Sequence, residues 1–118
     1  MKLRINKQSI RLRIDQDDLV ELSNTGKVDE ELGNEALGKF GFSLIRSDQT
    51  DIGAQISAGA IIITIPQAHI AEWVDTDRVG FEQEISGVRI LLEKDFQCLT
   101  ERPNENESRN FANPKSAH

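Results

Sequence analysis

The sequence predicts a mainly-β or α+β single domain made from two copies of a strand, strand, short helix, strand, strand unit. Three observations predict it. Residues 1–31 repeat without a gap as residues 52–82, so that Ile5, Ile10, Ile14, Gln16, Glu21, Thr25, Val28 and Glu31 recur as Ile56, Ile61, Ile65, Gln67, Glu72, Thr76, Val79 and Glu82. A repeat that keeps apolar spacing as well as identities marks one supersecondary unit duplicated in one chain. Within each copy, short runs of period-2 apolar alternation are separated by turn residues, the pattern of strands buried on one face. Between the second and third run of each copy lies a short stretch of helical spacing. The two units are expected to close around one shared core with pseudo-two-fold symmetry.

The elements follow in order. Leu3 and Ile5, then Ile10, Leu12 and Ile14, alternate with Lys2, Arg4, Arg11 and Arg13, and the stretch from Asn6 to Gln8 between them reads as a hairpin turn. Asp15 is a good N-cap with Asp18 three residues on; Leu19 and Leu22 share one helical face, and Gly26 is placed to stop the helix. Val28 to Leu32 resumes alternation, and after the Gly33–Gly38 connection Phe40, Phe42 and Leu44 make a further strand. In the second copy, Ile52 to Ser57 turns through Ala58-Gly59 into the run from Ala60 to Ile65, and Pro66 opens a helix carrying Ile70, Trp73 and Val74. Val79, Phe81 and Ile85 alternate with Glu82 and Glu84, and Ser86-Gly87 turns tightly into Val88, Ile90 and Leu92. Ile61 to Ile63 are apolar on both faces, which predicts a central strand or one packed on the other unit. Repeat 1 thus spans residues 1–47 and repeat 2 residues 52–95, within one domain over 1–99. Residues 100–118 are polar and lack periodicity, and a flexible tail is expected there, with Phe111 as its candidate anchor on the body.

At 118 residues the chain is long enough for one core. It carries a net charge of -6, unevenly placed. Residues 1–14 hold Lys2, Arg4, Lys7, Arg11 and Arg13 with no acid, leaving nine of the 14 basic residues to face all 20 acidic ones. A basic opening on an acidic body argues against general polyanion binding and points to a single patch for an acidic protein segment or a small anion. Neither a signal-peptide apolar region nor an 18-residue apolar run is present, so a cytoplasmic protein is expected, with no membrane partner, as a monomer or homodimer.

The run Ile62-Ile63-Thr64-Ile65-Pro66, a short helix, Asp77-Arg78-Val79-Gly80-Phe81-Glu82, a turn, then Val88-Arg89-Ile90-Leu91-Leu92 resembles the swapped-hairpin unit of AbrB/MazE-type proteins. Units of that family pair as interlaced dimers, so the resemblance implies a dimer fused into one chain, a single pseudo-two-fold AbrB-like barrel. It also implies DNA phosphate contacts from the basic residues of the first strands. Over nearly its whole length the chain further resembles a group of short bacterial proteins of unknown function, through Ser9-Ile10-Arg11-Leu12-Arg13, Asp77 with Val79-Gly80-Phe81-Glu82, Glu93-Lys94-Asp95-Phe96 with Cys98-Leu99, and Asn113-Pro114. That second resemblance implies no activity.

Lys2, Arg4, Arg11 and Arg13 are therefore the candidate partner-binding residues. Their repeat partners are Gly53, Gln55, Ile62 and Thr64, so the second unit lacks the basic set that a two-fold DNA surface needs. The plainer reading is a solvated strand face whose arginines pair with Glu82, Glu84 or Glu93. Cys98 has no CxxC partner, and His69 and His118 lie at no ligand spacing from it, so a buried residue is favoured over a nucleophile. His69 falls on the polar side of its helix and reads as a surface histidine. Glu93 and Asp95 with Asp75 and Asp77 are the carboxylates a metal site would use, but turn chemistry alone accounts for Asp75 and Asp77, which stand where the first unit has Asn24 and Gly26, so no metal is assigned. Phosphate loops, nucleophile elbows and zinc pairs are absent, so no catalytic residue and no cofactor is assigned. A binding or regulatory module is the expectation, a DNA-binding regulator the alternative, and an enzyme using Cys98 the third.

Overall fold

The computed structural model describes residues 1–96 and Phe111. Cys98 and the rest of the tail, on which two of the expectations fall, lie outside the described residues. Ten elements follow one another: β1 (Lys2–Asn6), β2 (Ser9–Ile14), α1 (Gln16–Thr25), β3 (Lys27–Asn34), β4 (Gly38–Ser47), β5 (Gly53–Ser57), β6 (Ala60–Pro66), α2 (Gln67–Asp75), β7 (Gly80–Ile85) and β8 (Val88–Lys94). The fold is α+β, with two four-stranded mixed sheets of order β1-β2-β8-β7 and β3-β4-β6-β5.

Each sheet takes one hairpin from each repeat. The β1-β2 hairpin joins β8-β7 through a parallel β2–β8 contact with Leu12 beside Leu92, and β3-β4 joins β6-β5 through a parallel β4–β6 contact with Leu44 beside Ile63. The two repeats therefore interlock, each lending one hairpin to each sheet. A single closed barrel was expected, and the structure corrects this: among the described residues no strand pair joins one sheet to the other. The physical reason is that, among the described residues, the outer strands β1, β7, β3 and β5 each pair on one side only, so the sheets stay open and share one apolar core.

Period-2 alternation explains the core. Ile10, Leu12 and Ile14 of β2, Ile90 and Leu92 of β8, and Ile61, Ile63 and Ile65 of β6 are buried in one cluster with Leu19 and Leu22 of α1 and Ile70 and Trp73 of α2. Burying such side chains contributes about 1.5–3 kcal/mol each before chain entropy is counted. Helix α1 begins with the expected capping box: the Asp15 carboxylate accepts from the Asp18 N–H at 2.8 Å and Asp18 accepts from the Asp15 N–H at 3.0 Å. It ends at Gly26, whose φ of 82° is the left-handed conformation that glycine tolerates best. Helix α2 is opened differently, by Pro66 at the N-cap with no side-chain cap.

Two apolar assignments change. Val79 lies outside β7 and is exposed, as is Val74 on α2. The register shows why: Val28 faces Leu44 in β3–β4, whereas Phe81, not Val79, faces Leu92 in β7–β8. The connection from α2 to β7 is longer than that from α1 to β3, so the ungapped repeat slips after the helix and Phe81 fills the place of Val28.

Candidate functional site

The outer face of the first sheet is set by side chains at alternate positions of four strands. Register places Lys2 opposite Arg13 and Arg4 opposite Arg11 across β1–β2. The parallel contact then brings Glu93 beside Arg13, Leu91 beside Arg11 and Arg89 beside Ser9. The last strand adds Glu82 beside Leu91 and Glu84 beside Arg89. Thus all four sequence-predicted residues converge on one half of the sheet, with acids on the other half. Like charges directly opposite on a sheet are destabilising, and two such pairs lie in adjacent rows.

Neutralisation of this basic half is incomplete. Lys2 Nζ lies 2.8 Å from Asp95 Oδ2. Arg11 Nε lies 2.8 Å from Glu93 Oε1, a charge contact that lacks hydrogen-bond geometry and leaves both atoms buried without a hydrogen-bond partner. Of the expected carboxylates Glu93 alone reaches this set; Glu82 is taken by Arg89, whose guanidinium holds the Glu82 carboxyl below the usual range. Arg4 and Arg13 make no ion pair among the described residues. A cleft of about 140 Å³ opens between the two hairpins, lined by Arg4, Asn6, Ser9, Arg11 and Leu91. Asn6, Ser9 and Leu91 were not legible as site residues, because Leu91 reaches the cleft from the other repeat. Guanidinium and amide donors in a shallow cleft suit a carboxylate or phosphate group. Among the described residues, no acid, histidine or cysteine lines it.

The other side chains considered from sequence lie elsewhere. His69 is half-buried and stacks on Phe81 with ring centroids 4.2 Å apart, which corrects its reading as a surface residue. Arg78 covers the same ring at 4.2 Å, so Phe81 draws both onto the core edge. Trp73 is buried as expected. Lys94, on the inner face of β8, donates to the Thr76 carbonyl at 3.1 Å; burial lowers its pKa from the ordinary value, and the charge of Asp77 opposes this. Phe111 docks there: its N–H donates to the Asp95 carbonyl at 2.8 Å, and its ring meets Phe96 edge-on and lies over Lys94 Nζ. No group of three or more His, Cys, Asp or Glu side chains among the described residues could hold a metal ion. No helix among them is long and apolar enough to cross a membrane.

Fold and site together define an internally duplicated α+β protein with exchanged hairpins and one basic sheet face. The chain belongs to a family of unknown function (DUF7009), whose model matches residues 1–115. No curated protein and no solved structure matches it.

Proposed function

We propose that the protein is a non-enzymatic binding or regulatory module whose first hairpin takes an anionic partner, an acidic protein segment or a small anion, at Arg4, Arg11 and Arg13, with Lys2 at the margin. The observation that carries this reading is the pair of opposed like-charge rows, Lys2–Arg13 and Arg4–Arg11, whose cost Asp95 and Glu93 offset on one member of each row only. The repeat supplies an internal contrast. The equivalent rows of the second sheet hold Gly53 opposite Thr64 and Gln55 opposite Ile62, so the basic set is not a consequence of the fold.

The alternative is an AbrB-like DNA-binding regulator, favoured by the exchange of hairpins between the repeats. The second sheet lacks the basic set in its matching rows, which weighs against it, since duplex recognition by a two-fold protein uses matched surfaces on both halves. Binding of a polyglutamate peptide, pyrophosphate and labelled duplex DNA across a salt series, beside an Arg4→Glu/Arg13→Glu variant, separates the readings. Retention of the peptide or pyrophosphate by the wild type alone supports the module. Tight duplex binding that falls steeply with salt favours the regulator, and no binding of any probe at low salt removes both.

A further inference from the structure

Among the described residues four strands lie at sheet edges, and three of them carry charge. Strand β1 holds Lys2 and Arg4, β3 holds Lys27, Asp29, Glu30 and Glu31, and β7 holds Glu82 and Glu84. Charge on an edge is a standard protection against pairing with another chain. Strand β5, Gly53-Ala54-Gln55-Ile56-Ser57, has no charge and no proline, and Ile56 is 59% exposed. It pairs only with β6 among the described residues, which leaves one row of its backbone donors and acceptors without a neighbouring strand. The duplication makes the contrast sharp. Strand β1 occupies the same place in the other sheet, yet has Lys2 and Arg4 where β5 has Gly53 and Gln55.

We infer that β5 is a self-association edge, where two copies of the chain pair antiparallel about a two-fold axis at Gln55 and join their second sheets into one of eight strands. The choice of a second copy rests on self-complementarity. This register sets Gly53 against Ser57, Ala54 against Ile56 and Gln55 against its own mate. Ala54 and Ile56 share the core-facing rows of Ile63 and Ile61, so a small residue meets a large one on the apolar side and two amides meet on the other. Asp51 then falls opposite Gly59, and no like charges face each other across the pair. The same operation on β1 sets Arg4 against Arg4. A chain of net charge -6 repels its own copies over most of its surface, and β5 is the edge where that repulsion is least.

Sedimentation equilibrium of the full chain from micromolar to millimolar concentration tests this. A concentration-dependent dimer is expected, and Gln55→Lys, which sets two ammonium groups face to face, weakens it by up to about fivefold with the Trp73 emission unchanged. Hydrogen exchange gives a readout without mutation: the outward-pointing amides of β5, at every second residue, gain protection as concentration rises, while those of β1 do not. A monomer at every concentration overturns the inference. So does a dimer whose β5 amides stay unprotected, or β5 amides protected equally at the lowest concentration, which would mean that the chain itself covers this edge.

Discussion

Arg4 stands on an exposed strand directly opposite Arg11, and its partner in the repeat is Gln55. Replacing Arg4 by Gln copies the uncharged β5 row onto β1. Removing one member of a like-charge cross-strand pair should stabilise the fold by about 0.2–1 kcal/mol, read as a raised urea midpoint. The same change should weaken retention of pyrophosphate, because one of the two guanidinium groups lining the cleft is gone. A stability gain with anion binding intact would place the binding groups elsewhere. Lys94 gives a second test at this scale. Its pKa is lowered in the folded state by burial, so the unfolded chain holds the proton more tightly. Stability therefore rises with pH through the window between the depressed value and the ordinary 10.5, and no further gain comes above it. Urea titrations of wild type and Lys94→Met should show this rise in the wild type only. Subtracting one from the other cancels the remaining groups, and the chain has no tyrosine to titrate in that range.

At the scale of the element, local chemistry was largely legible and register was not. Asp15, Asp18 and Gly26 announce both ends of α1, and Ser86-Gly87, with φ of 50° and 85°, is the tight turn that its residues predict. These are contacts within a few residues, so a single sequence contains them. The slip after α2 was hidden because Val79 keeps the identity of Val28 while the backbone has moved Phe81 into its place. Gly80 shows that the shifted register is tightly held. It sits opposite Glu93, and a Cβ built there would lie 2.3 Å from the Leu92 carbonyl oxygen and 3.0 Å from Glu93 Cα. Both are backbone atoms of the paired strand and cannot swing aside. Gly80→Ala should thus destabilise the protein by about 1–3 kcal/mol, as overpacking does. Gly38→Ala meets no atom within 4 Å and serves as the contrast, costing about 1–2 kcal/mol through its positive φ alone. Equal loosening of β7 and β4 amides in the two variants, seen by hydrogen exchange, would show that the Gly80 contact has no special weight.

For the whole molecule, the exchange of hairpins decides how the halves depend on each other. Sequence alternation tells β2 which face to bury, but nothing local tells it whether its parallel neighbour is β4 of its own unit or β8 of the other. The structure settles it through α1 and α2, which touch each other and each carry the chain from one sheet to the other. Because β2 pairs with β8 and β4 with β6, every sheet is half foreign to each repeat. Cutting the chain between Gln49 and Thr50, in the connection from β4 to β5, should leave two fragments whose central strands each lack a parallel partner. Such strands expose Leu12, Ile14 and Leu44 on one side and Ile63, Ile65 and Leu92 on the other, all fully buried in the intact chain. Fragment 50–118 alone is therefore expected to lack the near-ultraviolet circular dichroism of a packed Trp73, and an equimolar mixture with fragment 1–49 is expected to regain it. A fragment that pairs with its own copy keeps the same exchange through a different partner and shows a dimer's mass. A folded monomeric fragment is the contrary result, since its hairpins would then have paired within one unit. Intact protein should accordingly unfold in one step, with Trp73 emission and far-ultraviolet signal superimposed, because neither repeat can leave without opening both sheets.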